Sequence, residues 1–310
     1  MSWLAEIPYP RIDPILVDFG ALKIRWYGVS YVLAFVFAYF VLRTLARRGR
    51  LPIAYDRVAD VLFWGVLGVF LGGRIGYVLF YMIPFGEFAW SQVWKVHEGG
   101  MSFHGGLLGV VIAYALYARK ARAPLGDLCD GLALATTPGL LTVRLANFVN
   151  AELYGTVTDV PWAMNFPAYG QHPEAWVANG RPMLDELRHP SQLYEAFGEG
   201  LLLFFVLRWL MLRKGLGGGR IAGLFLVGYG VVRFFIEYVR LPDQQLGRWL
   251  FGAFTQGQAL CAGMILLGSI VLVVCARKGS RVGRYDPATG QRLDPAPPGS
   301  TPQPSAKAGA

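Results

Sequence analysis

Three arginines, Arg74, Arg144 and Arg233, stand inside stretches 62–81, 132–149 and 221–236, which are otherwise apolar enough to cross a bilayer. A charged side chain at the bilayer centre costs roughly 2.5–3.5 kcal/mol on insertion scales, so such residues usually line a polar cavity and serve a function. Spacing gives two of them company. Arg144 and Asn147 are three apart and Arg233 and Glu237 four apart, so each pair shares one helix face. Arg233–Glu237 reads either as a self-neutralising ion pair or as half of a ligand site. Arg144 has no acid four residues before it, and Glu152 lies two turns on, which favours an anionic ligand. Arg74 has a structural alternative, reaching the interface or capping neighbouring carbonyls. Guanidinium matches phosphate oxygens bidentately, and the bond strengthens out of water, so a phospholipid headgroup suits these faces. His104, between MSF and GG at a helix start, can act as a general base near neutral pH or hydrogen-bond to fix two helices.

The elements that must carry these residues are membrane helices. The chain has 310 residues, 54% hydrophobic and only 16% charged, against about 25% charged in soluble domains. About 20 apolar residues cover the hydrocarbon core. Seven stretches qualify: roughly 26–45, 60–82, 103–118, 130–150, 193–213, 220–239 and 257–276. The reading is therefore an all-α polytopic membrane protein of about seven transmembrane helices. A net charge of +9 admits nucleic acid as a partner, but the basic residues cluster between spans, as the positive-inside rule requires. Arg43, Arg47, Arg48, Arg50 and Arg57 lie on one side with Arg119, Lys120, Arg213, Lys214, Arg277 and Lys278. That side is cytoplasmic, which puts the N-terminus outside and the C-terminus inside. No cleavable signal peptide is expected, since MSWLAEIPYPRIDP has no basic stretch followed by an apolar run. The three cysteines show no CxxC and no ligand spacing, so neither a disulfide framework nor a metal site is expected.

Threaded this way, late residues of the second, fourth and sixth spans meet early residues of the others at the outer leaflet. That level collects Arg74, Arg144, Asn147, Asn150, Glu152, Arg233 and Glu237 with Tyr27, Ser102, His104, Gln192, Tyr194 and Glu195. Residues 84–99, with Trp90 and Trp94, read as an interfacial arm, and 151–190, rich in Pro, Trp and Tyr, as an ordered cap. Residues 285–310 turn to Pro, Gly, Ser and Ala and read as a disordered cytoplasmic tail after a membrane-embedded domain of 1–284. Glycines at 68, 72 and 76 and at 105 and 109 recur at helical spacing, which predicts close packing of the second span on the third.

Six segments in order carry a resemblance: RWYG at 25–28, LGGRIGY at 71–77, GGMSFHGG at 99–106, RLANFVNAE at 144–152, HPSQLYE at 189–195 and GYGVVRFFIE at 228–237. Over nearly the whole chain up to about Lys278 the sequence resembles the prolipoprotein diacylglyceryl transferases of the bacterial inner membrane. It departs at Val143, Ala146 and Ala151, where that family commonly has glycine. The resemblance implies transfer of a diacylglyceryl group from phosphatidylglycerol to the lipobox cysteine thiol of a preprolipoprotein, leaving a thioether and glycerol 1-phosphate. It implies a site towards the periplasmic leaflet and no cofactor or metal. Arg144 and Arg233 would hold the phosphate, Asn147 and Tyr229 orient the headgroup, and Glu152 and Glu237 position the arginines. His104 would be the base and Tyr27 would contact the glycerol or the peptide. A lipid or anion transporter would need polar residues through the full depth, but the inner halves of these spans are apolar. A phospholipase would need a nucleophile or water-activating pair, and no GxSxG stands out.

Overall fold

The computed structural model describes residues 7–10, 12–20, 22–84, 89–95, 100–167, 183–241, 248–249, 254–278 and 281–294. Long helices dominate. They are α1 (Trp26–Arg47), α2 (Val58–Tyr77, prolonged by the π-helical turn Val78–Met82), α4 (Phe103–Lys120) and α5 (Leu125–Val149), with the short α3 (Trp90–Val93) between α2 and α4. After them come α6, α7 (Arg220–Ile236) and α8 (Gln256–Arg277). Helix α6 is continuous through three segments, Ser191–Glu195, the π-helical stretch Ala196–Leu202, and Leu203–Arg213. Seven long helical segments thus occupy the places expected of spans among the described residues. Four of them, Trp26–Arg47, Val58–Met82, Leu125–Val149 and Gln256–Arg277, are long and apolar enough to cross a membrane by length and composition. Their outward faces are apolar: Val32, Phe63, Leu266 and Leu267 are all exposed. Helices that bury so little of their apolar surface within the protein need lipid around them.

The closest pair is α2 on α4, as the glycine spacing predicts. A Cβ on Gly105 would lie 2.7 Å from the Gly76 Cα, so no side chain fits between the two backbones. Helix α5 crosses α1, and Thr142 Oγ1 donates to the Ser30 carbonyl at 3.1 Å. Pro138 within α5 has no N–H for the Leu134 carbonyl, and the Thr137 hydroxyl supplies the missing donor at 2.9 Å. At the basic end, Asp130 of α5 accepts from the Gly219 and Ala222 amides at 2.9 and 2.8 Å, capping the N-terminus of α7. Leu42, Leu45, Leu51, Val58, Leu128 and Leu207 form the main buried core at that end.

Short strands dress the opposite end. β1 (Ile7–Pro8) pairs parallel with β4 (Met164–Pro167), which pairs antiparallel with β5 (Met183–Arg188); β2 (Ile15–Asp18) pairs with β3 (Lys23–Arg25), and β6 (Arg248–Trp249) with β7 (Phe254–Thr255). Tyr9, just after β1, donates its hydroxyl to the Phe148 carbonyl at 2.6 Å and packs with Phe166 of β4, which seals the end of α5 under a small apolar cluster. The described parts of the expected cap, 151–167 and 183–190, are built around this sheet; 168–182 lie outside the described residues. Of the expected arm, α3 and its neighbours are described, and Trp90 and Trp94 are exposed.

One expectation is corrected by local geometry. Residues 285–294, the described part of the expected tail 285–310, are ordered; 295–310 lie outside the described residues. Tyr285 is buried, its amide bonds to the Gly49 carbonyl at 3.0 Å, and its hydroxyl donates to Asp127. Pro287 accepts from the Tyr55 amide at 3.0 Å, so the segment clamps the α1–α2 loop onto α5. A composition of Pro and Gly there encodes a hairpin held by one aromatic anchor. Ala151, where the resembling family commonly has glycine, takes φ +51° directly after the end of α5, a left-handed conformation that favours glycine. Ala151→Gly relieves that strain, of order 1 kcal/mol, so its thermal unfolding midpoint in detergent rises by a few degrees; an unchanged or lower midpoint would refute the strain.

Candidate active site

The late part of α5, the early part of α6 and the late part of α7 converge at the capped end. Glu195 and Glu199 of α6 are fully buried. Arg144 Nε lies 3.2 Å from Glu195 Oε2 and 3.6 Å from Glu199 Oε2. Arg233 Nη1 lies 2.6 Å from Glu237 Oε2 and 3.5 Å from Glu195 Oε1, and its Nε 3.9 Å from Glu199 Oε1. Arg240, itself buried, donates to Glu195 Oε1 at 2.9 Å. Three arginines therefore face three carboxylates in one buried cluster. The π-helical stretch that carries Glu199 begins directly after Glu195, and such departures from α-helix concentrate at functional sites.

The sequence-predicted residues divide by partner. Arg144 and Arg233 come together, and Glu237 joins them, held also by the Thr255 hydroxyl at 2.9 Å. Among the described residues Glu152 makes no ion pair with the arginines, although both it and Arg144 act on Tyr27. It accepts from Asn147 Nδ2 at 2.7 Å and Asn150 Nδ2 at 3.4 Å, while Gln192 holds its backbone carbonyl at 2.7 Å. The acids expected to be missing around Arg144 are supplied across the helix interface by Glu195 and Glu199. Spacing along one helix sees only partners on that helix. The signal was nonetheless present, since Glu195 and Glu199 stand four apart in an apolar stretch. Glu199 and Arg240 are the residues the sequence reading missed.

Tyr229 of α7 and Arg144 stand at one end of a cavity of about 580 Å³, whose other lining residues include Tyr31, Phe35, Leu62, Leu132 and Val143. Val143, where the resemblance led us to expect glycine, thus lines this cavity. Tyr27, in the first turn of α1, stacks edge-on with Tyr31, its hydroxyl accepts from that of Tyr31 at 3.3 Å, and it feels the charges of Arg144 and Glu152. A polar relay borders the site: Trp162 donates to the Tyr194 hydroxyl at 2.6 Å, which lies 3.1 Å from His189 Nδ1. Partial burial holds the His189 imidazole below its usual value, so at neutral pH Nδ1 can accept that hydroxyl proton.

Arg74 and His104 are carried by the α2–α4 pair. Arg74 Nε donates to the Val93 carbonyl at 2.7 Å and Nη1 to that of Gly100 at 2.8 Å, with its guanidinium 5.4 Å from the Tyr77 ring centroid. It ties the segment after α2 back onto the helix. His104 is exposed at the second position of α4, whose N-terminus is capped by Ser102 Oγ accepting from the Gly105 amide at 3.2 Å.

The buried arginine–carboxylate cluster thus meets an apolar cavity at Arg144. A family model described as prolipoprotein diacylglyceryl transferase matches residues 14–274. The chain belongs to that family. Among its relatives, the phosphatidylglycerol–prolipoprotein diacylglyceryl transferase of Methylococcus capsulatus is 43% identical over 275 residues, covering 88% of this chain and 99% of the relative. Those of Vibrio atlanticus and Idiomarina loihiensis are 45% and 46% identical, covering 88% and 87% of this chain and 94% and 95% of theirs. The matched region spans all three helices that build the arginine cluster and omits 275–310, including the Tyr285 hairpin.

Proposed function

We propose that this protein transfers the diacylglyceryl group of phosphatidylglycerol to the lipobox cysteine thiol of preprolipoproteins, forming a thioether and releasing glycerol 1-phosphate. The observation that carries the reading is that Arg144, which lines an apolar cavity with Tyr229, shares Glu195 with Arg233 in one buried cluster, in a member of this family. The volume of that cavity falls in the roughly 300–1,000 Å³ range of ligand pockets. One acyl chain lies in the cavity and the phosphate meets the guanidinium groups beside Tyr229.

Chemistry follows from that placement. A sulfur–carbon bond forms at the glycerol carbon while the carbon–oxygen bond to phosphate breaks, and charge builds on the departing oxygen. Donors aimed at that oxygen stabilise the transition state more than the ground state, which raises the rate. The thiol, with an unperturbed pKa of about 8.5, needs a base. His104 fills that role, Asn147 orients the headgroup through its Glu152 contact, and Tyr27 meets the glycerol or the peptide. The reading has seven spans, with the N-terminus outside, the C-terminus in the cytoplasm and the site towards the periplasmic leaflet of the bacterial inner membrane. The arm at 84–99 and the cap at 151–190 guide a signal peptide arriving from the lipid. No metal or cofactor is needed.

Purified protein given phosphatidylglycerol labelled in its acyl chains and a lipobox peptide should label the peptide cysteine. Label in free diacylglycerol with an unmodified peptide would show a lipase instead. In the same assay His104→Gln, which cannot accept a proton at neutral pH, should lose ~10²–10⁴-fold in rate. Near-normal turnover would return His104 to a purely anchoring role.

A further inference from the structure

Glu199 is held unlike its neighbours. Glu195 Oε1 accepts the Arg240 guanidinium at 2.9 Å and Glu237 Oε1 accepts the Thr255 hydroxyl at 2.9 Å. Among the described residues neither oxygen of Glu199 receives a hydrogen bond, and its nearest guanidinium nitrogens stand at 3.6 and 3.9 Å. The groups facing it are Arg144 from α5, Arg233 and Tyr229 from α7, Arg240 beyond α7, Cys261 from α8, and Glu195 on its own helix. With every group ionised, Arg144, Arg233 and Arg240 balance Glu195, Glu199 and Glu237, and the empty cluster is neutral.

An anionic phosphate docking on Arg144 and Arg233 breaks that balance by one negative charge, in surroundings where an uncompensated charge is expensive. The arginines cannot supply a compensating proton, because they are already fully charged. One carboxylate must take it. Glu195 and Glu237 each have one oxygen without a hydrogen bond, but protonation there would weaken the bond that the other oxygen accepts from Arg240 or Thr255, whereas Glu199 has no such bond to weaken and gains an O–H that can donate to the phosphate. We infer that Glu199 takes up one proton when the anionic phosphate of the lipid headgroup binds, keeping the cluster neutral and adding a donor to the site. Glu199 is in this sense a positioning residue for the phosphate. The inference rests on the lipid reading above and extends it to the ionisation of the site.

The linkage has a definite sign. Binding that takes up a proton is favoured at low pH, and affinity falls by up to about tenfold per pH unit once Glu199 of the empty site is ionised. Isothermal titration of the full-length protein in detergent with short-chain phosphatidylglycerol, in two buffers of different ionisation heat, counts the protons directly. The expected result is close to one proton taken up per lipid at pH 8, and fewer as the pH falls towards 6. E199Q, neutral at every pH, should take up none and bind with the same affinity at pH 6 and pH 8. E199D, which still titrates, should keep the pH dependence. Lipid binding without proton uptake by the wild-type protein would overturn the inference and leave the transferase reading intact; so would uptake persisting in E199Q. If E199Q does not fold, the wild-type proton count still decides. Failure of the wild-type protein to bind the lipid at all would strike the lipid reading and the inference with it.

Discussion

Arg144→Ala is expected to lower diacylglyceryl transfer by ~10²–10³-fold or more, the loss seen when one donor to a developing oxyanion is removed. Arg144 is the arginine that both faces the apolar cavity and touches Glu195 and Glu199. Its removal takes away a phosphate donor and leaves two buried carboxylates with less positive charge around them. Both effects lower activity, so the alanine variant alone does not separate them. Arg144→Lys does. Lysine restores the point charge that the glutamates need but has no planar fork with which to grip two phosphate oxygens. The lysine variant should therefore recover most of the thermal stability and little of the turnover, measured on the purified protein with labelled phosphatidylglycerol and a lipobox peptide. Near-wild-type turnover in either variant would remove Arg144 from the reacting phosphate.

Which features were legible in the sequence follows from the range of the signals. Apolar stretches announce membrane helices one at a time, and each of the seven places holds a long helical segment because length and composition are local properties. Glycines four apart announce a close helix contact, and α2 does pack on α4. The pairing of Arg144 with Glu195 and Glu199 was hidden, because it crosses from α5 to α6 and no periodicity links positions fifty residues apart. Arg240 was hidden differently. It lies just past the last turn of α7, among residues that read as an outer loop, yet its backbone bridges Gly155 and its side chain turns back into the cluster. Tyr285 was misread for a third reason: a Pro- and Gly-rich composition describes both a disordered tail and a tight hairpin. A single buried aromatic with a carboxylate partner decides between them, and only three dimensions reveal the partner.

Glu195→Ala is the substitution expected to cost the fold most. Its carboxylate is fully buried and is shared by three arginines, at 3.2 Å from Arg144, 3.5 Å from Arg233 and 2.9 Å from Arg240. Removing one partner of a buried ion pair costs about 3–5 kcal/mol, because the remaining charge stays buried and unpaired. Here three arginines would face only Glu199 and Glu237. The damage should also spread outward. Arg240 is held from one side by Glu195 and from the other by its bridge to Gly155, and the adjoining Thr156 amide bonds to the Val239 carbonyl at 2.9 Å. With Glu195 gone, that corner of the cap loses its anchor to the helices. The expected result is a clearly lowered thermal midpoint in detergent and faster proteolysis within 151–167. A membrane protein with several packed elements need not unfold in one step, so the two readouts are taken together. Glu195→Gln keeps a carbonyl oxygen for Arg240 and should preserve the cap while losing the charge. An alanine variant with a wild-type midpoint and unchanged cap proteolysis would mean that Glu195 contributes no net stability, and that the arginines find other company when it is removed.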